Sequence, residues 1–402
     1  MTSASTPVAR LLLVVGAVLI ALGEVPRVVE ADRLAWIVPL DALFHSSAVG
    51  GTLVLTALAH VTTTDMLRAR EVGRAATVFT LLRVLTLLWA LQLAVLVVVA
   101  VARAVDTLAP PTNLTGEMWS TVLTFRWNLW LTDHMLEVPA ELLGLALLSI
   151  AAQLVTLLAV VLVALPRRWN CVVLAVAAAV AAVVVAGLRV RVVDLQDPYV
   201  LLLDTFARSD GFFIGVLAAC LAGLGRRAVP SVSGAALVVL VGAVLASGFV
   251  STDQQLVLQL PMVALLAGLA LLDPGDQPGD SLIGLLARAS QVNALATVWA
   301  PLVACVTPAA VVLGRRTEMN WVLRVTVLVI VVAIIARLAL ALSERVRLPD
   351  GPLPTLSGLM AGWRRVVAEA DAEVRGDHGA RSRTGPGDDV GPSAPTRTDG
   401  ER

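Results

Sequence analysis

Again and again the chain runs apolar for the length of a membrane crossing. About ten such runs lie near 8–24, 36–60, 76–102, 142–165, 170–189, 210–225, 231–250, 255–272, 284–313 and 321–343, each close to the roughly 20 apolar residues that a helix needs to cross hydrocarbon. Of the 402 residues 58% are hydrophobic and the mean hydropathy is +0.85, against roughly 45–50% apolar in soluble domains. The fold class this predicts is all-α: a polytopic integral membrane bundle of about ten helices, its main partner the lipid bilayer. The first and sixth runs are short, so their ends must lie at the interface or be shielded by neighbours.

Charge fixes the direction of threading. Every basic residue is Arg and the formal net charge is zero, which leaves no basic footprint for nucleic acid. Arg68, Arg70 and Arg74 in loop 61–75, "PRRW" at 166–169 and "GRRA" at 225–228 read as cytoplasmic by the positive-inside rule, whereas loop 104–118 reads as external. An odd number of crossings must then separate 110 from 167. The stretch "WSTVLTFRWNLWL" at 119–131 is therefore expected to be re-entrant or interfacial, and both termini cytoplasmic. One loop runs against the rule: "GRRTEMN" at 314–320 falls outside despite Arg315 and Arg316.

Residues 1–348 thus read as the transmembrane domain. Residues 349–376 read as a cytoplasmic amphipathic segment, with Leu356, Leu359, Met360, Trp363 and Val367 near one helical face. Residues 377–402 are too poor in apolar side chains to fold and read as a disordered tail. Cys171, Cys220 and Cys305 sit in apolar runs without metal-ligand spacing, so no metal site is expected and small packing residues are the simplest reading.

Ionisable groups at membrane depth are costly and by default mark function. Asp41, His45, Arg83, Arg126, Asn128, Gln153, Arg208, Asp210, Arg288, Asn293 and Arg337 qualify. Snorkelling or a structural ion pair accounts equally well for Arg288 and Arg337, and Gln153 is either interhelical glue or a functional group. His45 reads most simply as a packing residue. His60 and His134 are expected at the interface. Asp41 and Arg208 are the strongest functional candidates, because a guanidinium keeps its proton and must find an acceptor.

On these positions the chain resembles the acyltransferase-3 family, through most of its first 348 residues. "LDTFARSDGFFIGVLAA" is similar to that family's Thr-Asp-Thr-Arg-Ala-Asp-Gly segment, with Thr205, Arg208, Asp210, Gly211 and Gly215 at matching steps. "PLDALFHSSAVG" matches a second motif through Asp41, Phe44 and Ser47. "FRWNLWL" matches a third through Asn128, and "ALLSIAAQLVTLL" a fourth through Ser149 and Gln153. "ALSERVRLP" resembles the motif closing the last span, and "LLARASQ" is a weaker match.

The resemblance implies a bacterial cytoplasmic-membrane protein associated with O-acylation of envelope glycans or glycolipids. It implies acyl-CoA as donor substrate, no bound cofactor, and Arg10, Asp41, Ser47, Arg83, Asn128, Gln153, Thr205, Arg208 and Asp210 as donor- or substrate-binding residues. The sequence departs from the family where catalysis would sit. Arg10 is present, but Ala21 replaces the family's paired His, Ala151 and Ala152 replace a Glu-Glu pair, and Gly144 stands near a further His. Losing a general base costs roughly 10²–10⁴-fold in rate.

Three readings follow: an active enzyme using Glu24 or His45 as surrogate base; a pseudo-enzyme that binds lipid or glycan or scaffolds partners; and a transporter. The order of the motifs argues against the third, and the missing His and Glu favour the second on chemistry.

Overall fold

The computed structural model describes residues 7–29, 43–104, 116–134, 140–166, 170–226, 228, 230–272, 296 and 298–345. Asp41, Arg288, Asn293, the amphipathic segment and the tail lie outside them. Every regular element described is helical. In chain order these are α1 (Pro7–Gly23), α2 (Ser47–Val72), α3 (Arg74–Ala104), α4 (Gly116–Leu123), α5 (Trp127–Asp133), α6 (Leu145–Ala164), α7 (Asn170–Val192), α8 (Pro198–Leu203), α9 (Ser209–Gly223), α10 (Pro230–Leu245), α11 (Thr252–Leu271), α12 (Trp299–Gly314) and α13 (Trp321–Arg345).

Seven of these segments are long and apolar enough to cross a membrane, those built on α1, α3, α6, α7, α10, α11 and α13; α9 and α12 are apolar but shorter. The described chain is accordingly all-helical, with several helices of the length and composition that membrane crossings have. Its outer helices carry large aliphatic side chains on the outside, among them Val97, Val98 and Val101 on α3, Val180 and Val183 on α7, and Val329, Ile330 and Ile334 on α13. In water such a belt would be a liability; in lipid it is the expected surface.

The central helix is the least apolar of the long ones. α2 packs against α1, α3, α6, α9 and α11, and Val49, Leu53, Val54, Leu55 and Ala57 have no exposed surface. Surrounded by protein, it tolerates polar residues that lipid would reject. Thr52, Thr56 and Thr62 donate to the carbonyls of Ala48, Thr52 and Leu58 one turn back, which satisfies their hydroxyls within the helix. This helix also corrects two sequence expectations. It continues through most of the predicted loop 61–75 and stops only at Gly73. His60 is therefore buried inside the bundle, not at the interface. Arg70 on the same extension donates to Leu162 O and Leu165 O (3.1 and 3.2 Å), closing the carbonyl end of α6.

Glycines let α2 touch its neighbours backbone to backbone. A Cβ on Gly50 would stand 2.6 Å from Gly16 O, and one on Gly215 of α9 would run into Thr56 O. Close approach of this kind is how membrane helices gain packing energy without a hydrophobic drive. It also explains how the short sixth span is shielded: Asp210, Gly211, Phe212, Gly215, Val216 and Cys220 of α9 are all buried against neighbours. Gly215→Val is expected to separate α9 from α2 and cost about 1–3 kcal/mol or more, read as a lowered unfolding temperature in detergent with helical content retained below the transition. An unchanged temperature would show that this crossing is not tight.

The 119–131 stretch forms two short helices, α4 and α5, broken at Thr124–Arg126, where Phe125 adopts φ 56°. A left-handed φ on a bulky residue is uncommon and turns the chain sharply. The segment does not cross as one helix, in line with a re-entrant or interfacial piece.

Candidate functional site

Three of the predicted residues close a hydrogen-bonded ring. Asn128 on α5, Gln153 on α6 and Thr205 between α8 and α9 come from distant parts of the chain. Asn128 Nδ2 donates to Thr205 Oγ1 (2.7 Å), Thr205 Oγ1 donates to Gln153 Oε1 (2.6 Å), and Gln153 Nε2 donates to Asn128 Oδ1 (2.9 Å). The second amide protons go to Leu203 O and Phe125 O. Only one orientation of the two amides satisfies every member, so the ring fixes both. The Phe125 turn is what aims that carbonyl at Gln153. Next to the ring, Trp127 Nε1 donates to Leu142 O (2.9 Å) and stacks on Trp130.

A second cluster sits at the start of α9. Asp210 Oδ1 meets Arg189 Nη2 of α7 at 2.7 Å, with both side chains almost wholly buried. Asp210 lies in the first turn of its helix, where the dipole favours a carboxylate. Arg189 Nη1 donates to Leu256 O (2.7 Å). The local sequence of α11 frees that carbonyl: Leu260 N–H bonds Gln255 O in a π-turn over Gln255–Gln259, and Pro261 has no N–H to offer. Arg208 donates to Ala48 O (2.9 Å) and Leu202 O (3.4 Å), lying over Gly51, where any Cβ would strike the guanidinium. Asp204 closes a turn by accepting from Phe206 N and Ala207 N.

Both clusters occupy one end of the bundle. The starts of α2, α9 and α11 and the end of α7 meet there, α6 reaches the ring from its middle through Gln153, and the arginine that caps the end of α6, Arg70, lies farther along that helix.

Of the predicted surrogate bases, Glu24 stands elsewhere, while the backbone of His45 lies beside the second cluster, three residues before Ala48. Glu24 is held by Arg27 Nε (2.7 Å) and accepts from Thr307 Oγ1 of α12 (3.1 Å), and Thr307 in turn packs against Gly144. His45 and Ser47 are exposed, and the carbonyl of His45 accepts from Gln255 Nε2 (3.3 Å). Arg10 sits half-buried near the start of α1, some 21 Å along the axis from Glu24 at about 1.5 Å per residue. Arg83 is exposed and acts on Asp65, far along α2 from Arg208. Burial raises the Asp65 carboxyl above its ordinary value, and Arg68 and Arg83 oppose that rise. The predicted binding set is thus divided: the structure gathers Asn128, Gln153 and Thr205, and separately Arg208 and Asp210, while Arg10 and Arg83 belong to neither.

Several polar residues were missed by sequence reasoning. Arg189 is the foremost; "GLRVRVVD" looked like the end of a span, yet α7 continues to Val192 and carries Arg189 inward. Gln92 Nε2 donates to Ser149 Oγ (3.3 Å), both buried. Gln259 Nε2 donates to Ala243 O and Ser247 Oγ. The i, i+4 pair Gln255/Gln259 in an otherwise apolar run was the available signal.

A hollow of about 320 Å³ adjoins the ring, lined by Thr124, Phe125, Ala152, Gln153 and Thr156. Its polar lining is the Gln153 amide, whose two protons are already engaged, and the hydroxyls of Thr124 and Thr156, which donate within their helices and keep oxygen lone pairs as acceptors. Ala152, at one of the two positions where the resemblance expects glutamate, forms part of its wall. Comparison of the chain with protein-family models, with curated proteins and with solved structures returns no match.

Proposed function

We propose that the chain is an acyltransferase-3-like protein of the bacterial cytoplasmic membrane, with about ten crossings and both termini cytoplasmic, that binds an envelope glycan or glycolipid without transferring acyl groups itself. The observation that carries this reading is the composition of the Gln153 hollow: hydroxyl oxygens of Thr124 and Thr156 that can accept from sugar hydroxyls, and among the described residues no ionisable side chain in its lining. Acyl transfer to a hydroxyl requires a group to take its proton. Glu24, the nearest substitute by sequence, is engaged with Arg27 and Thr307 on another pair of helices.

Purified protein supplied with acyl-CoA and a glycolipid acceptor is expected to bind the glycolipid and to release no more CoA than a protein-free control. Thr124 is exposed at the rim, so Thr124→Trp is expected to weaken glycolipid binding at least several-fold with the fold intact. CoA release that disappears in Glu24→Gln or His45→Ala would overturn the reading in favour of an active enzyme. Coupled solute flux in vesicles would overturn it in favour of transport.

A further inference from the structure

Arg324 is a buried cation without a carboxylate. It lies in the first turn of α13 at 8% exposure, Nη1 donates to Gly314 O at the end of α12 (3.4 Å), and Nε is buried without a partner. Other arginines surround that end of α12, and each has an acid nearby: Arg27 with Glu24, Arg315 with Glu141 (4.0 Å) and Arg316 with Glu318 (3.8 Å). Among the described residues the unmatched positive charge therefore rests on Arg324. A buried unpaired charge is strongly unfavourable, and at membrane depth it marks a site for an anion.

An apolar crevice opens beneath this charge. It has a volume of about 380 Å³ between α3, α12 and α13, with Val95, Cys305, Ala309, Leu313, Val331 and Ile335 among its lining residues and almost no polar surface. Arg324, Val331 and Ile335 are spaced by seven and eleven residues, which puts them on one stripe of α13. Leu313 adjoins Gly314, the residue Arg324 holds. Arg324 thus stands about two turns of α13 from Val331, on the side of Leu313 and Gly314. A slot of this character among membrane-facing helices matches a hydrocarbon chain, and the cation at its head matches a phosphate.

We propose that the α3–α12–α13 crevice and Arg324 form a site for one anionic phospholipid, its acyl chain in the crevice and its phosphate at Arg324. The site is separate from the Gln153 hollow and stands whether or not that hollow takes a glycan.

The test uses the full chain in bilayer discs of equimolar phosphatidylglycerol and phosphatidylcholine, with retained lipid counted by native mass spectrometry after mild extraction. The wild-type chain is expected to keep one phosphatidylglycerol in preference to phosphatidylcholine by about tenfold, because the choline ammonium already neutralises the phosphate of phosphatidylcholine whereas phosphatidylglycerol brings a net negative charge to Arg324. Ala309→Trp, which fills the crevice from a half-buried position, is expected to lose the lipid. Arg324→Gln is expected to bind both lipids alike, and Thr124→Trp to behave as wild type. If Arg324→Gln fails to fold, the lipid preference of the wild type and the loss in Ala309→Trp still decide. Equal retention of the two lipids by the wild type, phosphatidylglycerol retained by Ala309→Trp, or displacement by inorganic phosphate alone would each overturn the proposal.

Discussion

Asp210→Asn is expected to be the most destabilising single change at the site, costing on the order of 3–5 kcal/mol, the range for breaking a buried ion pair from one side. Among the described residues Asp210 is the one acidic partner of Arg189, and it also stands two residues from Arg208. Asparagine keeps the shape but leaves two buried guanidiniums facing each other. Arg189→Met removes the other member of the pair, yet Asp210 then remains in the field of Arg208. The expected order of loss is therefore Asp210→Asn first, Arg189→Met second. Thermal unfolding of the two variants in detergent, followed by helical circular dichroism, measures it. If Arg189→Met is the more damaging, the carbonyl contact to Leu256 outweighs the charges, and the cluster is held together by α11 more than by Asp210.

Gln153→Leu should have the next largest effect. It strips a donor from Asn128 Oδ1 and from Phe125 O and an acceptor from Thr205. Each buried group left unsatisfied costs about 1–3 kcal/mol, so a total loss of about 2–4 kcal/mol is expected after local relaxation. Because the three side chains act as one ring, the losses will not add. Asn128→Leu combined with Gln153→Leu should cost less than the sum of the two, with a coupling of about 0.5–3 kcal/mol in a double-mutant cycle. Strict additivity would mean that the two amides are satisfied independently, and the ring would have no standing as a unit. The same variant should also lose glycolipid binding, since Gln153 lines the hollow. Thr124→Trp separates that effect from stability.

The hydrophobic runs were legible because lipid imposes a length and a composition on every helix that faces it. α3, α7 and α13, the most exposed to lipid, begin and end close to where the sequence places them. The central helix was the hardest to delimit for the same reason. α2 meets protein on nearly all sides, so its threonines, His60 and Arg70 carry no penalty that a hydropathy pattern registers. Its extent therefore became visible only when its neighbours were in place.

For the candidate site the division is similar. The sequence by itself determined that this is a helical chain with runs of membrane-crossing length, that the stretch 119–131 is not an ordinary span, and that Asn128, Gln153, Arg208 and Asp210 are polar groups in an apolar setting that need partners, while Thr205 entered only through the resemblance. Burial cost is local to each residue, so one sequence suffices to find such groups. Only the tertiary structure decided who the partners are. It joined Asn128, Gln153 and Thr205 in a ring and drew Arg189 to Asp210 through a carbonyl freed by Pro261. It turned Glu24 toward Thr307, and it left Arg324 above an apolar crevice. Hydrogen bonds and ion pairs between distant helices depend on how those helices cross, and the crossings are set by glycines such as Gly16, Gly50 and Gly215, whose lack of a side chain the sequence shows without saying what comes close to them.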